Sequence, residues 1–160
     1  PSKRAVKTYL IKNNQEDKWT ELQGIVYGRS MLKAKPFDGF IDFYERCKKE
    51  NVRLCIVTHR SKFPYKGIQY DLHQSAIEWL RANNLQSVEF YCESTKENKL
   101  KRIGILRCRY FVDDLLEFLT HPDFPPLTRR ILFDPHKEYI CPDSIIQAHS
   151  WKNIVSVIFQ

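Results

Sequence analysis

Apolar positions along this chain follow two spacings, one helical and one in short unbroken runs, and the two alternate. After Pro36-Phe37-Asp38-Gly39, which reads as a turn, the positions Phe40, Phe43, Tyr44 and Cys47 follow the i, i+3, i+4, i+7 rule of an amphipathic helix. Val52 to Val57 (VRLCIV) has the pattern of a short buried strand. A loop rich in Lys, Arg and aromatics runs from Thr58 to Tyr70, and Asp71 then predicts the N-cap of a helix carrying Leu72, Ala76, Trp79 and Leu80. A strand is predicted at Val88 to Tyr91, followed by a helix capped by Ser94 or Thr95 with Leu100, Ile103 and Leu106 on one face. Tyr110 to Val112 predicts a third strand, ending at Asp113-Asp114 before a short helix, LLEFL. Arg130 to Phe133 predicts a fourth, ending at Asp134-Pro135. Ile145 to Ala148 adds a further segment, and Trp151, Ile154, Val155 and Ile158 have the spacing of a last helix. Upstream, Arg4 to about Met31 reads as polar and helical, broken at Asn13-Asn14 and at Gly24. Strands alternating with helices predict parallel βαβ units, hence an α/β fold. The expectation is a single domain over residues 1–160, with a helical segment at 1–36 and a parallel-sheet core at 37–160.

Composition narrows the class. A chain of 160 residues is about one domain, and its apolar share of 42% with 28% charged residues is the balance of an ordinary globular protein. No apolar run approaches the roughly 18 residues of a membrane helix. The opening PSKRAVKTYL is charged but has no apolar core, so neither a membrane span nor a secretory signal is expected. The five cysteines include no CxxC pair and no zinc-type spacing, which fits reduced thiols and a cytoplasmic location. The net charge of +7 and a pI near 9.2 suit phosphate in any form. That charge fits a nucleic-acid binder, an enzyme of phosphorylated metabolites and an idle basic surface equally well.

In open parallel sheets, ligands bind beyond the carboxyl ends of the strands. The residues expected there are Thr58-His59-Arg60, Glu93 to Lys96, Asp113-Asp114 and Asp134. A hydroxyl, a lysine and paired carboxylates can together hold a phosphate and Mg²⁺, which takes one or two carboxylates plus phosphate oxygens. Plainer uses remain open: Asp113-Asp114 as a helix cap, Thr58 as a turn residue, Lys96 as a solvated lysine and Asp134 as a strand-end turn residue. A lysine in a first helical turn opposes the helix dipole, which favours a use for Lys96, with Lys99 as the alternate. Arg60, Lys62 and Lys66 interleave with Phe63, Pro64 and Tyr65, suiting either an anionic ligand with a flat portion or a solvated loop.

The order CIVTHR (55–60), TKENKLKRI (95–103) and YFVDDLLEFL (110–119) resembles motifs two, three and four of the haloacid dehalogenase (HAD) superfamily. WTELQGIVYG (19–28), YDLHQSAIEWL (70–80) and ILFDP (131–135) look like a bacterial HAD-hydrolase subgroup. The resemblance implies a Rossmann-like core with a helical cap segment, and a Mg²⁺-dependent phosphatase that acts on a small phosphorylated metabolite through an aspartyl-phosphate. It also implies roles: Thr58 contacting a phosphoryl oxygen, Lys96 or its alternate Lys99 neutralising charge, and Asp113 with Asp114 holding Mg²⁺. His59, Arg60, Lys62 and Lys66 would shape substrate choice. The chain departs from the pattern in having no DxDxT motif for the nucleophile. Asp38 and Asp42 fall in a turn and a helix and do not replace it. The resemblance therefore implies a chain that starts downstream of the first core strand and is inactive as it stands. The alternatives are a HAD-like pseudoenzyme serving as an interaction protein and a basic nucleic-acid module. For the latter, Lys96 to Arg109 supplies charge without any RNP, KH or helix-turn-helix signature, so nucleic acid is not the expected partner.

Overall fold

The computed structural model describes residues 3–160. Helices α1 (Lys3–Lys12) and α2 (Glu16–Tyr27) open the chain, and a short 3-10 turn at Met31–Lys33 leads to α3 (Phe40–Lys49). Then β1 (Cys55–His59), α4 (Leu72–Ala82), β2 (Glu89–Glu93), α5 (Lys96–Ile105) and β3 (Tyr110–Asp113) alternate. The chain closes with α6 (Leu116–Leu119), β4 (Arg129–Phe133), β5 (Ile146–Ala148) and α7 (Trp151–Ile158). This is the α/β alternation expected, with strands displaced by up to three residues from their predicted starts. The structure departs from the expectation at Gly24, through which α2 runs without a break. The glycine serves close approach there, because a Cβ at Gly24 would lie 2.9 Å from Pro64 Cγ. The break at Asn13-Asn14 is real: Asn14 adopts φ 54°, and the Gln15 N–H returns to the Leu10 carbonyl at 2.9 Å.

Local chemistry sets the helix ends. Asp71 Oδ1 accepts from Gln74 N at 2.8 Å, Thr95 Oγ1 from Asn98 N at 3.1 Å and Ser150 Oγ from Asn153 N at 3.2 Å, each satisfying an orphan donor of a first turn. Asn51 and Asn84 end α3 and α4 in the left-handed region at φ 54° and 58°. The next residues, Val52 and Leu85, each donate to a carbonyl of the last turn, at 2.8 Å in both cases.

The ladders are all parallel but form two sheets. β1 pairs with β2 from Cys55 opposite Glu89 to His59 opposite Glu93. β4 lies between β3 and β5, with Val112 opposite Ile131 and Ile131 opposite Ile146. Among the described residues no ladder joins β1 to β3, and each of these strands has one edge without a ladder partner. Side-chain packing joins the two sheets instead. On one face, Leu100 and Ile103 of α5 share a core with Val57 of β1, Phe111 of β3 and Leu132 of β4. On the other, α3 contributes Phe43 and Cys47 to a core with Ile131, Phe133 and Ile154, and Tyr44 to a core with Leu80, Leu85 and Val88. Alternation along β4 sends Leu132 to the first face and its neighbours Ile131 and Phe133 to the second, as the two-residue strand period requires. Full burial of such a side chain contributes about 1.5–3 kcal/mol, so the packed helices hold together what the missing ladder does not.

Candidate functional site

The parallel strands place their carboxyl ends together, and α1 and α2 lie over that end. Arg4 Nη1 donates to the Glu138 carbonyl at 3.2 Å, beyond β4, and Lys66 Nζ lies 2.5 Å from Asp17 Oδ2. Just after the 3-10 turn, the Ala34 carbonyl accepts from Trp79 Nε1 at 2.7 Å.

Asp113, the last residue of β3, is fixed there by two hydrogen bonds. Lys99 Nζ approaches its Oδ2 at 2.6 Å, and Leu115 N donates to its Oδ1 at 3.0 Å. Both side chains are withdrawn from water, Lys99 at 10% exposure and Asp113 at 8%. The ammonium also sits 4.1 Å from the Phe118 ring centre and 5.3 Å from that of Phe111. Burial pushes the Asp113 carboxyl above its ordinary range, assisted by Asp114, while the Lys99 ammonium and the Leu115 N–H pull against it.

The structure thus separates the two lysines. Lys99 shares the inner face of α5 with Leu100 and Ile103, whereas Lys96, at the first position of that helix, is half-exposed and 3.8 Å from Glu117 Oε1. Thr58 is the penultimate residue of β1, opposite Cys92, and is only partly buried. His59 Nε2 lies 3.2 Å from the Ser94 carbonyl, and Lys62 Nζ is 3.9 Å from Asp71 Oδ2. Arg60 Nη1 donates to the Leu72 carbonyl at 3.3 Å, and its guanidinium carbon stands 4.8 Å from the Tyr27 ring centre.

Two features escape sequence reading, and a third extends one that did not. Lys3 is raised above the ordinary lysine value: burial acts downward, but Tyr27 and the carboxylates of Asp114 and Asp113 outweigh it. A residue at the start of the first helix thereby comes within electrostatic range of the end of β3, and no local pattern announces that. Cys55 and Cys108 lie at the opposite, amino-terminal ends of β1 and β3, both packed against the first core. Interaction between the two thiols pushes Cys55 up and draws Cys108 down. Asp134 is a buried hub, its carboxylate accepting from Glu138 N at 2.9 Å, Tyr139 N at 3.1 Å and Gln147 Nε2 at 2.8 Å. Burial acts upward on Asp134, and those hydrogen bonds carry its pKa below the ordinary range. Its role is to knit the segment after β4, in keeping with a strand-end turn residue.

Among the described residues, no group of three or more His, Cys, Asp or Glu side chains converges as a metal site. The carboxylates that could hold Mg²⁺ are Asp113 and the exposed Asp114. Asp113 has spent one lone pair of each oxygen, leaving a second on each, so the pair meets the minimum that Mg²⁺ needs when phosphate and water complete its shell. A cavity of about 380 Å³ lined by Leu127, Arg129 and Asp143 lies at the amino ends of β4 and β5, the opposite pole from these groups. The basic run on α5 is largely spent internally: Lys99 is buried against Asp113, and Arg102 Nε pairs with Glu93 Oε1 at 2.7 Å. Among the described residues, no helix is long and apolar enough to cross a membrane. Comparison with protein-family models, characterised proteins and solved structures returns no match to this chain.

Proposed function

We propose that Thr58, Lys99, Asp113 and Asp114 are the phosphoryl- and Mg²⁺-binding half of a HAD-type phosphohydrolase site for a small phosphorylated metabolite. The observation that carries this reading is the buried Lys99–Asp113 pair at the carboxyl end of a parallel strand, with Asp114 exposed beside it. In this reading the Thr58 hydroxyl donates to a phosphoryl oxygen and the Lys99 ammonium offsets phosphoryl charge while keeping Asp113 in one rotamer. Asp113 and Asp114 hold the metal, which when bound stabilises charge on the phosphoryl oxygens. A hydrolase of this kind also needs a nucleophilic aspartate two residues from an acid/base aspartate, and no two aspartates in the 160 residues have that spacing. The 160 residues therefore bind Mg²⁺ and phosphate without turning over a phosphomonoester.

The test is a titration of the ¹⁵N-labelled protein with MgCl₂, with and without inorganic phosphate, alongside an assay with p-nitrophenyl phosphate. Expected are Mg²⁺-dependent amide shifts at Thr58, Asp113 and Asp114 that Asp114→Asn removes, and no release of nitrophenol. Absence of any Mg²⁺ response at millimolar concentrations overturns the metal assignment. Mg²⁺-dependent turnover overturns the assignment of an incomplete site.

A further inference from the structure

The cations of the β1–α4 loop have different fates. Lys62 faces Asp71 and Lys66 faces Asp17, so each has a carboxylate of its own. Arg60 has none among the described residues. Its guanidinium carries five N–H donors, and one described bond, to the Leu72 carbonyl, engages one of them. The group is nonetheless drawn under the helical segment, and burial lowers its pKa from the ordinary arginine value. Withdrawing a cation from water without acceptors is costly, and the Tyr27 ring face 4.8 Å away offsets only part of that. Tyr27 ends α2 and is held in place by close backbone approach. At the next residue, Gly28, a Cβ would stand 2.6 Å from both the Gly24 carbonyl and Tyr70 Cβ. A second cation, Lys3 Nζ, lies 5.8 Å from the centre of the same ring. One rigid aromatic ring thus gathers two cations, one without a carboxylate, where the helical segment meets the strand ends.

We infer that Arg60, with Lys3 over the same Tyr27 ring, binds an oxyanion, a phosphate or a carboxylate, on the part of the substrate away from the transferred phosphoryl group. The identity of the substrate rests on the proposed phosphohydrolase reading, but the anion site does not. Arg60 is the residue suited to it because its planar fork can engage two oxygens at once.

The test uses the full 160-residue protein in EDTA, where a Mg²⁺-dependent site is silent. Inorganic phosphate is titrated and amide shifts are followed, with sodium acetate as a second probe. Arg60→Met is expected to weaken phosphate binding about ten-fold or more, and Arg60→Lys several-fold, since a lysine keeps the charge and loses the fork. Lys49→Met, which removes an exposed cation at the end of α3, is expected to leave the Mg²⁺-free affinity unchanged. Tighter binding of phosphate than of acetate assigns the group as phosphate, and the reverse assigns it as carboxylate. No phosphate or acetate binding by the unmutated protein overturns the inference. So does a loss of binding that follows Lys49→Met rather than the Arg60 variants. Should Arg60→Met fail to fold, wild-type affinity in Arg60→Lys overturns it on its own. A missing Mg²⁺ response at Asp114 would sink the phosphohydrolase reading and leave these outcomes unaffected.

Discussion

Replacing Lys99 with methionine isolates the energetics of the buried pair. At 2.6 Å the two charges attract by about 6 kcal/mol at an effective dielectric near 20. Desolvating both ions offsets most of that, so the intact pair adds little net stability. Loss of one partner is different in kind, because both side chains are about nine-tenths buried and solvent cannot screen the charge left behind. Lys99→Met leaves Asp113 with the Leu115 N–H alone. The expected cost is about 3–5 kcal/mol, a fall in Tm of roughly 6–20 °C for a domain of this size. Methionine retains apolar contact with Phe118, so the cation–π loss is the smaller part. Asp113→Asn keeps an acceptor for Leu115 and strands the ammonium, at a similar cost. The double variant Lys99→Met/Asp113→Asn contains no buried charge and should be more stable than the sum of the singles by about 2–3 kcal/mol. The assay is equilibrium urea unfolding of the four proteins at one pH. Additive losses, or a single-variant cost under about 1 kcal/mol, would refute the claim that the pair is a desolvated ion pair.

Three further outcomes follow from the same geometry. The Cys108 thiol, drawn below its ordinary range by Cys55, should alkylate with iodoacetamide faster at neutral pH than Cys55, and Cys55→Ser should slow it, read by mass spectrometry of the Cys108 peptide. Asp134 is held below its ordinary value of 3.8, so the stability it contributes is present above that pH and lost as pH falls through the folded value. Asp134→Asn should cost about 1–3 kcal/mol at neutral pH and flatten the acid limb of the unfolding curve; an unchanged limb would contradict the assignment. Gly28→Ala should destabilise by roughly 1–3 kcal/mol, because its Cβ would meet the Gly24 carbonyl and Tyr70 at 2.6 Å, and thermal unfolding measures it.

Much of the fold is legible locally. Asp71 caps α4 and Thr95, one of the two residues offered, caps α5, and the short runs VRLCIV and ILF lie in or beside strands because period and propensity are properties of the segment itself. Strand ends are legible only to within a few residues, since a ladder ends where its partner ends, and the register is a property of two segments. Of the candidate site, the residue types at the strand ends follow from the α/β pattern. Which lysine of α5 turns inward does not, for Lys96 and Lys99 are both polar residues near one helix start.

The amino-acid sequence by itself determined the alternation of helices and strands, the helix caps and the placement of Thr58, Asp113 and Asp114 at the ends of β1 and β3, all functions of short-range spacing. Only the tertiary structure decided that Lys99 meets Asp113, that Arg60 stands beneath Tyr27 without a carboxylate among the described residues, and that Lys3 stands over the same ring from the start of α1. It also decided that β1 and β3 have no common ladder among the described residues and are joined through α3 and α5. The physical reason is that electrostatic partners and desolvation depend on distances between segments far apart in the chain. A local pattern selects a segment's backbone and its buried face, while the whole packed molecule selects what that face touches.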